Sequence, residues 1–284
     1  MTVQFNNLSV NSNQFVWSFG DGSLLSTQAH PTHAYTQSGK YLITVLAGNG
    51  VFTDTLTRYL HVSDLESGLQ GHWELDESEG VRYDYTANGN DLTAVQGTTV
   101  VTGQVNLGAK LQDDYQQYLM IADEDQTGLN IAGDLTIAGW INLASKNKYM
   151  VLAGKYEWGV QNRAYRLSLI DDNRLQVTIS PDGRQLASYM LDGQTALRTD
   201  YWYHVAAVFD SQAQTMRLYL DGMLEAERTV NYSTIYTSTA PFMLGANVQN
   251  GNVVQYFDGY LDDWWVYGMA LSQFEIESLR RRGI

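Results

Sequence analysis

The sequence predicts an all-β protein made of two sandwiches, a small one followed by a larger one, and three observations carry that prediction. Short alternating apolar runs bounded by Gly, Asn, Asp or Ser recur along the chain, and the one clear helical pattern lies near the C-terminus. Aromatic residues make up 12% of the sequence, with 19 tyrosines, a composition that suits pleated, half-buried surfaces. At 284 residues the chain also exceeds a usual domain of ~150 residues, and Asp64-Leu65-Glu66-Ser67-Gly68 reads as a polar linker. The expected division is therefore a module over 1–63, a linker over 64–69 and a single large domain over 70–284.

In the first module, Val3 to Phe5, Phe15 to Phe19, Tyr41 to Leu46 and Thr55 to Val62 have strand periodicity. Gly20-Asp21-Gly22-Ser23 and Gly39-Lys40 read as tight turns whose glycines supply positive φ. Strands in the large domain are expected at Leu135 to Leu143, Met150 to Ala153, Arg166 to Ile170, Leu175 to Ile179, Trp202 to Phe209, Met216 to Leu220, Phe242 to Leu244 and Tyr260 to Tyr267. A helix is expected after Ser272, where Ser272-Gln273-Phe274-Glu275 forms a capping-box pattern ahead of Ile276 and Leu279. Arg280, Arg281 and Arg282 suit the negative C-terminal end of that helix.

Composition removes several function classes. The chain has no cysteine, which excludes disulfides, thiolate metal sites and a cysteine nucleophile. A net charge of −14 disfavours nucleic acid and anionic membranes as partners, and it leaves room for calcium. No apolar run approaches the roughly 18 residues of a helical membrane span. Thr2-Val3-Gln4-Phe5 follows Met1 at once, without the pattern of a signal peptide. The expectation is an extracellular or cell-surface segment drawn from a longer secreted protein.

Three motifs of the first module, Trp17-Ser18-Phe19-Gly20-Asp21-Gly22, Pro31-Thr32-His33-Ala34-Tyr35 and Gly39-Lys40-Tyr41, together resemble the polycystic kidney disease (PKD) domain. The resemblance implies an immunoglobulin-like β-sandwich acting as a spacer or adhesion module. That family carries a further strand ahead of the one containing Val3 to Phe5, so the resemblance implies a module lacking its first strand. The large domain resembles the laminin-G-like, concanavalin A-like lectin jelly rolls through Gly71-His72-Trp73-Glu74-Leu75-Asp76, Asp84-Tyr85-Thr86-Ala87-Asn88-Gly89-Asn90-Asp91 and Leu135-Thr136-Ile137-Ala138-Gly139-Trp140-Ile141. Trp202-Tyr203-His204-Val205-Ala206, Leu218-Tyr219-Leu220-Asp221-Gly222 and Phe257-Asp258-Gly259-Tyr260-Leu261-Asp262-Asp263 carry the same resemblance, as does the stretch from Ala270 to Ile276.

Calcium takes six to eight oxygen ligands, and an Asx-rich turn supplies them readily. Asp84, Asn88, Asn90 and Asp91, joined by Asp262 and Asp263, are therefore the expected structural calcium set. The resemblance implies the same arrangement, with the ion held between the early turn and the Asp pair before the last strand. A second acidic stretch, Asp123 to Gly128 with Asp134, only superficially matches a calcium loop and reads as solvated.

Sugar binding calls for exposed rings beside amides and carboxylates. Tyr156, Trp158, Tyr232 and Tyr236 lie in apparent loops and are the expected platforms. Trp264 and Trp265 are adjacent in a strand and should point to opposite faces, leaving Trp265 as the outer one. Trp17, Trp73, Trp140 and Trp202 read as core.

Catalysis has little support in the sequence. His30, His33, His61, His72 and His204 make no metal-ligand spacing, no G-x-S-x-G elbow occurs, and no compact E-x-D-x-E strand supplies the paired carboxylates of a glycosidase. The expected function is a non-catalytic binding and adhesion segment whose jelly roll recognises glycan or an extracellular protein. Two alternatives remain open. One is a structural subunit of a fibre, sheath or phage-like appendage that self-assembles through the open edge of the first module. The other is an accessory module of a polysaccharide-degrading enzyme.

Overall fold

The computed structural model describes residues 1–282, so the last two positions of the expected 70–284 domain lie outside the described residues. Contacts divide the chain into Met1–Ser67 and Gly68–Ile284. The division falls inside the expected linker, and a strand already starts at Leu69.

The first unit holds β1 (Thr2–Gln4), β2 (Gln14–Ser18), β3 (Thr32–Ala34), β4 (Gly39–Gly48) and β5 (Thr53–Val62). A two-stranded β1-β3 sheet and a three-stranded β2-β4-β5 sheet make up the unit. Trp17, Phe19, Tyr35, Ile43, Val45 and Val62 form its core, and the buried Tyr35 hydroxyl donates to the Phe19 carbonyl. Gly20 adopts φ +78°, and a β-carbon there would lie 2.7 Å from the backbone of Leu42, so no larger residue fits. Gly39 departs from expectation, since it opens β4 rather than supplying a positive-φ turn. His33 stacks on Phe19 at 4.0 Å and contacts Asp21 at 2.7 Å, which makes it part of the scaffold.

The second unit begins with β6 (Leu69–Trp73), β7 (Val81–Arg82), β8 (Leu92–Val95), β9 (Thr99–Thr102), β10 (Leu107–Leu111) and β11 (Tyr118–Ile121). Its longest strands follow: β12 (Leu135–Leu143), β13 (Met150–Trp158), β14 (Asn162–Leu169), β15 (Leu175–Ile179), β16 (Met190–Asp192), β17 (Trp202–Asp210), β18 (Thr215–Leu220) and β19 (Met223–Thr229). It ends with β20 (Phe242–Leu244), β21 (Asn247–Gln249), β22 (Asn252–Val254), β23 (Gly259–Tyr267) and the helix α1 (Gln273–Arg280). An eight-stranded sheet runs β19-β18-β17-β12-β23-β10-β9 with β6 beside β23, and a ten-stranded sheet runs β16-β15-β14-β13-β20-β11-β8-β7 with β21 and β22 attached at β13. Their inner faces share one core that includes Trp73, Ile137, Tyr165, Leu167, Val177, Val205, Phe242 and Trp264. Gly139 leaves the space that Trp264 fills, because a β-carbon there would lie 2.4 Å from the indole.

The outer face of the eight-stranded sheet is covered as well. Thr136 donates to the Met269 carbonyl and accepts from the Leu271 amide, which brings the chain onto this face ahead of α1. Ser272 and Glu275 form the expected reciprocal cap, and Ile276 and Leu279 are fully buried. Trp265 is therefore only 1% exposed, a correction to the expectation that it stands outside. It is sandwiched against the sheet, stacked on His72 at 5.2 Å. Trp202, expected in the core, is half-buried at the start of β17.

Candidate functional site

The expected calcium set comes together around His72 in an unexpected way. The His72 amide donates to Asp84 Oδ1, and its ring Nε2 lies 3.4 Å from Asp263 Oδ1, so an imidazole stands between the two halves of the set. Asp84 also accepts from the amides of Thr86 and Asn90 and from the Thr86 hydroxyl. The Asn90 side chain is spent on the backbone of Gln70 and Thr127, Asn88 donates to Gln70, and Asp91 accepts from the Asp84 amide. Asp262 accepts from the Val105 amide, and burial pushes its carboxyl up to about 8. Hydrogen bonds lock the turn through Asp84 and Asn90, while Asp262 Oδ1 is buried without a partner among the described residues. Among the described residues no three acidic or imidazole side chains converge as a metal site.

The Asp123 loop is not merely solvated, since Asp123 receives the ammonium of the fully buried Lys155 at 2.5 Å. Asp134 caps the Ser211 turn.

Of the expected aromatic platforms, one presents an exposed ring. Tyr156 and Trp158 lie in β13 rather than in a loop. Tyr156 is 2% exposed: it follows the inward Lys155, so strand alternation places it on the outer face of the sheet, against two arginines. Tyr232 is corrected too: it packs on the core, and its hydroxyl donates to the Ile179 carbonyl. Tyr236 lies half-buried in a loop, with its amide bonded to the Ser180 carbonyl. Trp158 is 42% exposed.

Around Trp158 the outer face of the ten-stranded sheet forms a groove of about 280 Å³, lined by Tyr149, Trp158, Arg166, Gln176, Gln185, Met190 and Gln255. Strand alternation explains the lining. Tyr165, Leu167, Leu175 and Val177 enter the core, so Arg166 and Ser168 on β14, with their register partners Thr178 and Gln176 on β15, must face out. Gly154 pairs with Arg166, and a β-carbon there would lie 2.5 Å from the Tyr165 carbonyl and 3.2 Å from Arg166 Cβ. The Arg166 guanidinium consequently lies between the Tyr156 ring at 4.1 Å and the Tyr149 ring at 5.1 Å. The Tyr149 hydroxyl is fixed by Ser168 and Gln176.

Buried polar atoms on this face lack partners among the described residues: Arg166 Nε, Arg163 Nε, the Tyr156 hydroxyl, Thr178 Oγ1 and Gln185 Oε1. Burial raises the Tyr156 phenol even against the pull of Arg166 and Arg163, so it stays neutral. Such idle donors and acceptors are costly inside a protein unless something else meets them. Apart from Trp158, sequence reasoning missed this lining. The signal was available as polar residues alternating with core residues inside β14 and β15.

A sequence-family model for the concanavalin A-like lectin/glucanases superfamily matches residues 113–277, more than half of the 284-residue chain. The chain belongs to that superfamily. A PKD-domain model matches residues 1–62, ahead of the lectin-like match and in the order the motifs indicate. The pairing of β6 with β23 shows that residues before 113 also belong to the concanavalin A-like sandwich. No curated protein matches the chain in sequence.

Among solved structures, domain 4 of AbnA, an extracellular arabinanase from Geobacillus stearothermophilus in complex with arabinotriose, is 18% identical with a TM-score of 0.57. That match covers 75% of this chain and 98% of the other. The binding domain of Paraclostridial Mosquitocidal Protein 1 is 17% identical with a TM-score of 0.57, covering 76% of this chain and 52% of the other. The binding domain of botulinum neurotoxin DC in complex with SialylT is 14% identical with a TM-score of 0.58, covering 78% and 52%. The chain thus spans about half the length of the last two. At these identities the likeness is one of fold.

Proposed function

We propose that this chain is a non-catalytic glycan-binding segment of a secreted or surface protein, with the Trp158–Arg166 groove as its binding site and the PKD unit as spacer. The observation that carries the reading is an exposed indole beside a row of amide and guanidinium groups in an open groove on a rigid sheet. The indole offers an apolar face to a pyranose, and the amides meet its hydroxyls. No carboxylate lines the groove, so it lacks the pair that glycoside hydrolysis requires. The arabinotriose and SialylT complexes of the fold neighbours support sugar recognition on this architecture.

A glycan array followed by calorimetry on Trp158→Ala tests the reading. Loss of the stacking ring is expected to weaken a hit by about 30-fold, the ~2 kcal/mol of an interface hot spot. Because Trp158 is partly exposed, the melting temperature should barely move. An array without any hit at high protein concentration would overturn the reading.

A second reading, self-assembly through the first unit, is favoured by one observation. β5 is an edge strand, and Leu56, opposite the core residue Val45, is 54% exposed. Light scattering that shows only monomer at high concentration would remove it.

A further inference from the structure

We propose that the groove selects a glycan bearing a carboxylate, with the Arg166 guanidinium, held between Tyr149 and Tyr156, as the partner of that carboxylate. The inference rests on the glycan-binding reading above and narrows its ligand class. Arg166 is only 3% exposed, yet it has no ion pair and its Nε no hydrogen bond among the described residues. A buried guanidinium without an anion is unusual, because removing it from water is costly unless a charge or acceptor replaces the water. It is more unusual in a chain with 31 acidic against 17 basic residues, which has carboxylates to spare.

The surrounding chemistry prepares the site for an anion from outside. Arg163 also lies over the Tyr156 ring, at 5.8 Å, and is tied to the Gly183 carbonyl through Nη1, while its Nε is without a partner among the described residues. The acids of the adjoining recess are occupied: Asp192 accepts from Gln176, and Glu227 pairs with Arg217 at 2.6 Å. A planar carboxylate matches the fork of a guanidinium, whereas the overall charge of −14 opposes a densely sulfated chain.

The test is calorimetry on the full chain with two matched pairs of probes, trigalacturonic acid against its methyl ester and sialyllactose against lactose. The two pairs separate a uronate from a sialate. One acid is expected to bind about 10- to 100-fold more tightly than its neutral partner, the range of a charge-assisted hydrogen bond to a buried group. That ratio should fall towards unity in Arg166→Gln and be partly restored in Arg166→Lys. If Arg166→Gln does not fold, the ratio in the unaltered protein decides alone. Equal binding of acid and neutral partner, or tighter binding of a heparin oligosaccharide than of either acid, would overturn the carboxylate and leave the groove standing. Failure of every saccharide, neutral or acidic, would overturn the glycan reading itself.

Discussion

Lowering the pH should destabilise the larger unit through His204, and the size of the effect follows from where that ring sits. His204 lies on β17, fully buried, edge-on to Trp140 at 5.2 Å, with neither ring nitrogen hydrogen-bonded among the described residues. Burial, helped by the charge of Arg280, holds its pKa down at about 3, against 6.5 for a free imidazole. The folded value lies below the unfolded one, so protons bind preferentially to the unfolded chain. The stability is fully present above pH 6.5 and is lost as pH falls from 6.5 towards 3. At one decade of proton affinity per ~1.4 kcal/mol, moving from about pH 7.5 to about pH 4.5 should remove about 3 kcal/mol through this residue alone.

Other groups titrate over the same interval, so the informative quantity is a difference of differences. Urea unfolding of the natural chain and of His204→Phe, each at the two pH values, isolates the His204 contribution, and any repacking cost of the larger ring cancels. Tryptophan fluorescence follows the correct unit, because all tryptophans except Trp17 lie in the larger one. If both proteins lose the same stability on acidification, the reasoning about His204 is refuted.

Two further outcomes are expected. Asp123→Ala should destabilise by about 3–5 kcal/mol, because it strands the buried Lys155 ammonium, whereas Lys155→Met should cost less, since Asp123 is partly exposed and keeps Gln126 and Asn130 as donors. Chemical denaturation that ranks the two the other way would contradict the burial argument. Thermal melts in excess EDTA and in millimolar calcium should coincide, because Asp84 and Asn90 are committed to backbone partners. A clear rise with calcium would restore the calcium cage, since a ligand of the native state must raise the melting point.

Strand positions were legible wherever alternation was strict. Leu135–Leu143 and Leu175–Ile179 match the structure residue for residue because the period of two and the flanking turns are local signals, and Phe242–Leu244 matches as a short apolar run between turns. The helix was legible for the same reason, its cap being written in four consecutive residues. Strand β13 was read too short, since Gly154, Lys155 and Glu157 resemble a loop in sequence. What keeps them in a strand is tertiary: Lys155 finds Asp123 across the core face, and Gly154 admits Arg166. Reading the second half of β13 as a loop made the buried Tyr156 an expected platform and obscured the groove. The Asp84 turn illustrates a different limit of local reading. Its residue types permit calcium, but whether oxygens face a cation or N–H groups depends on His72, which arrives through the pairing of β6 with β23.

The two outer faces of the sandwich also differ in a way that bears on function. On the eight-stranded sheet, Ala138, Trp140, His204 and Trp265 are apolar or uncharged and are sealed beneath the C-terminal segment and α1. Burying them this way satisfies the hydrophobic effect, although the Trp140, His204 and Trp265 ring nitrogens are left without partners among the described residues. On the strands β13 to β16 the outward side chains are polar instead. Those outer residues are Arg166, Ser168, Gln176 and Thr178, with Tyr149 just ahead of β13, side chains that can each donate or accept a hydrogen bond. Because register places them in fixed rows, the rigidity of the core is transmitted to the groove, and a sugar would meet groups already held in place.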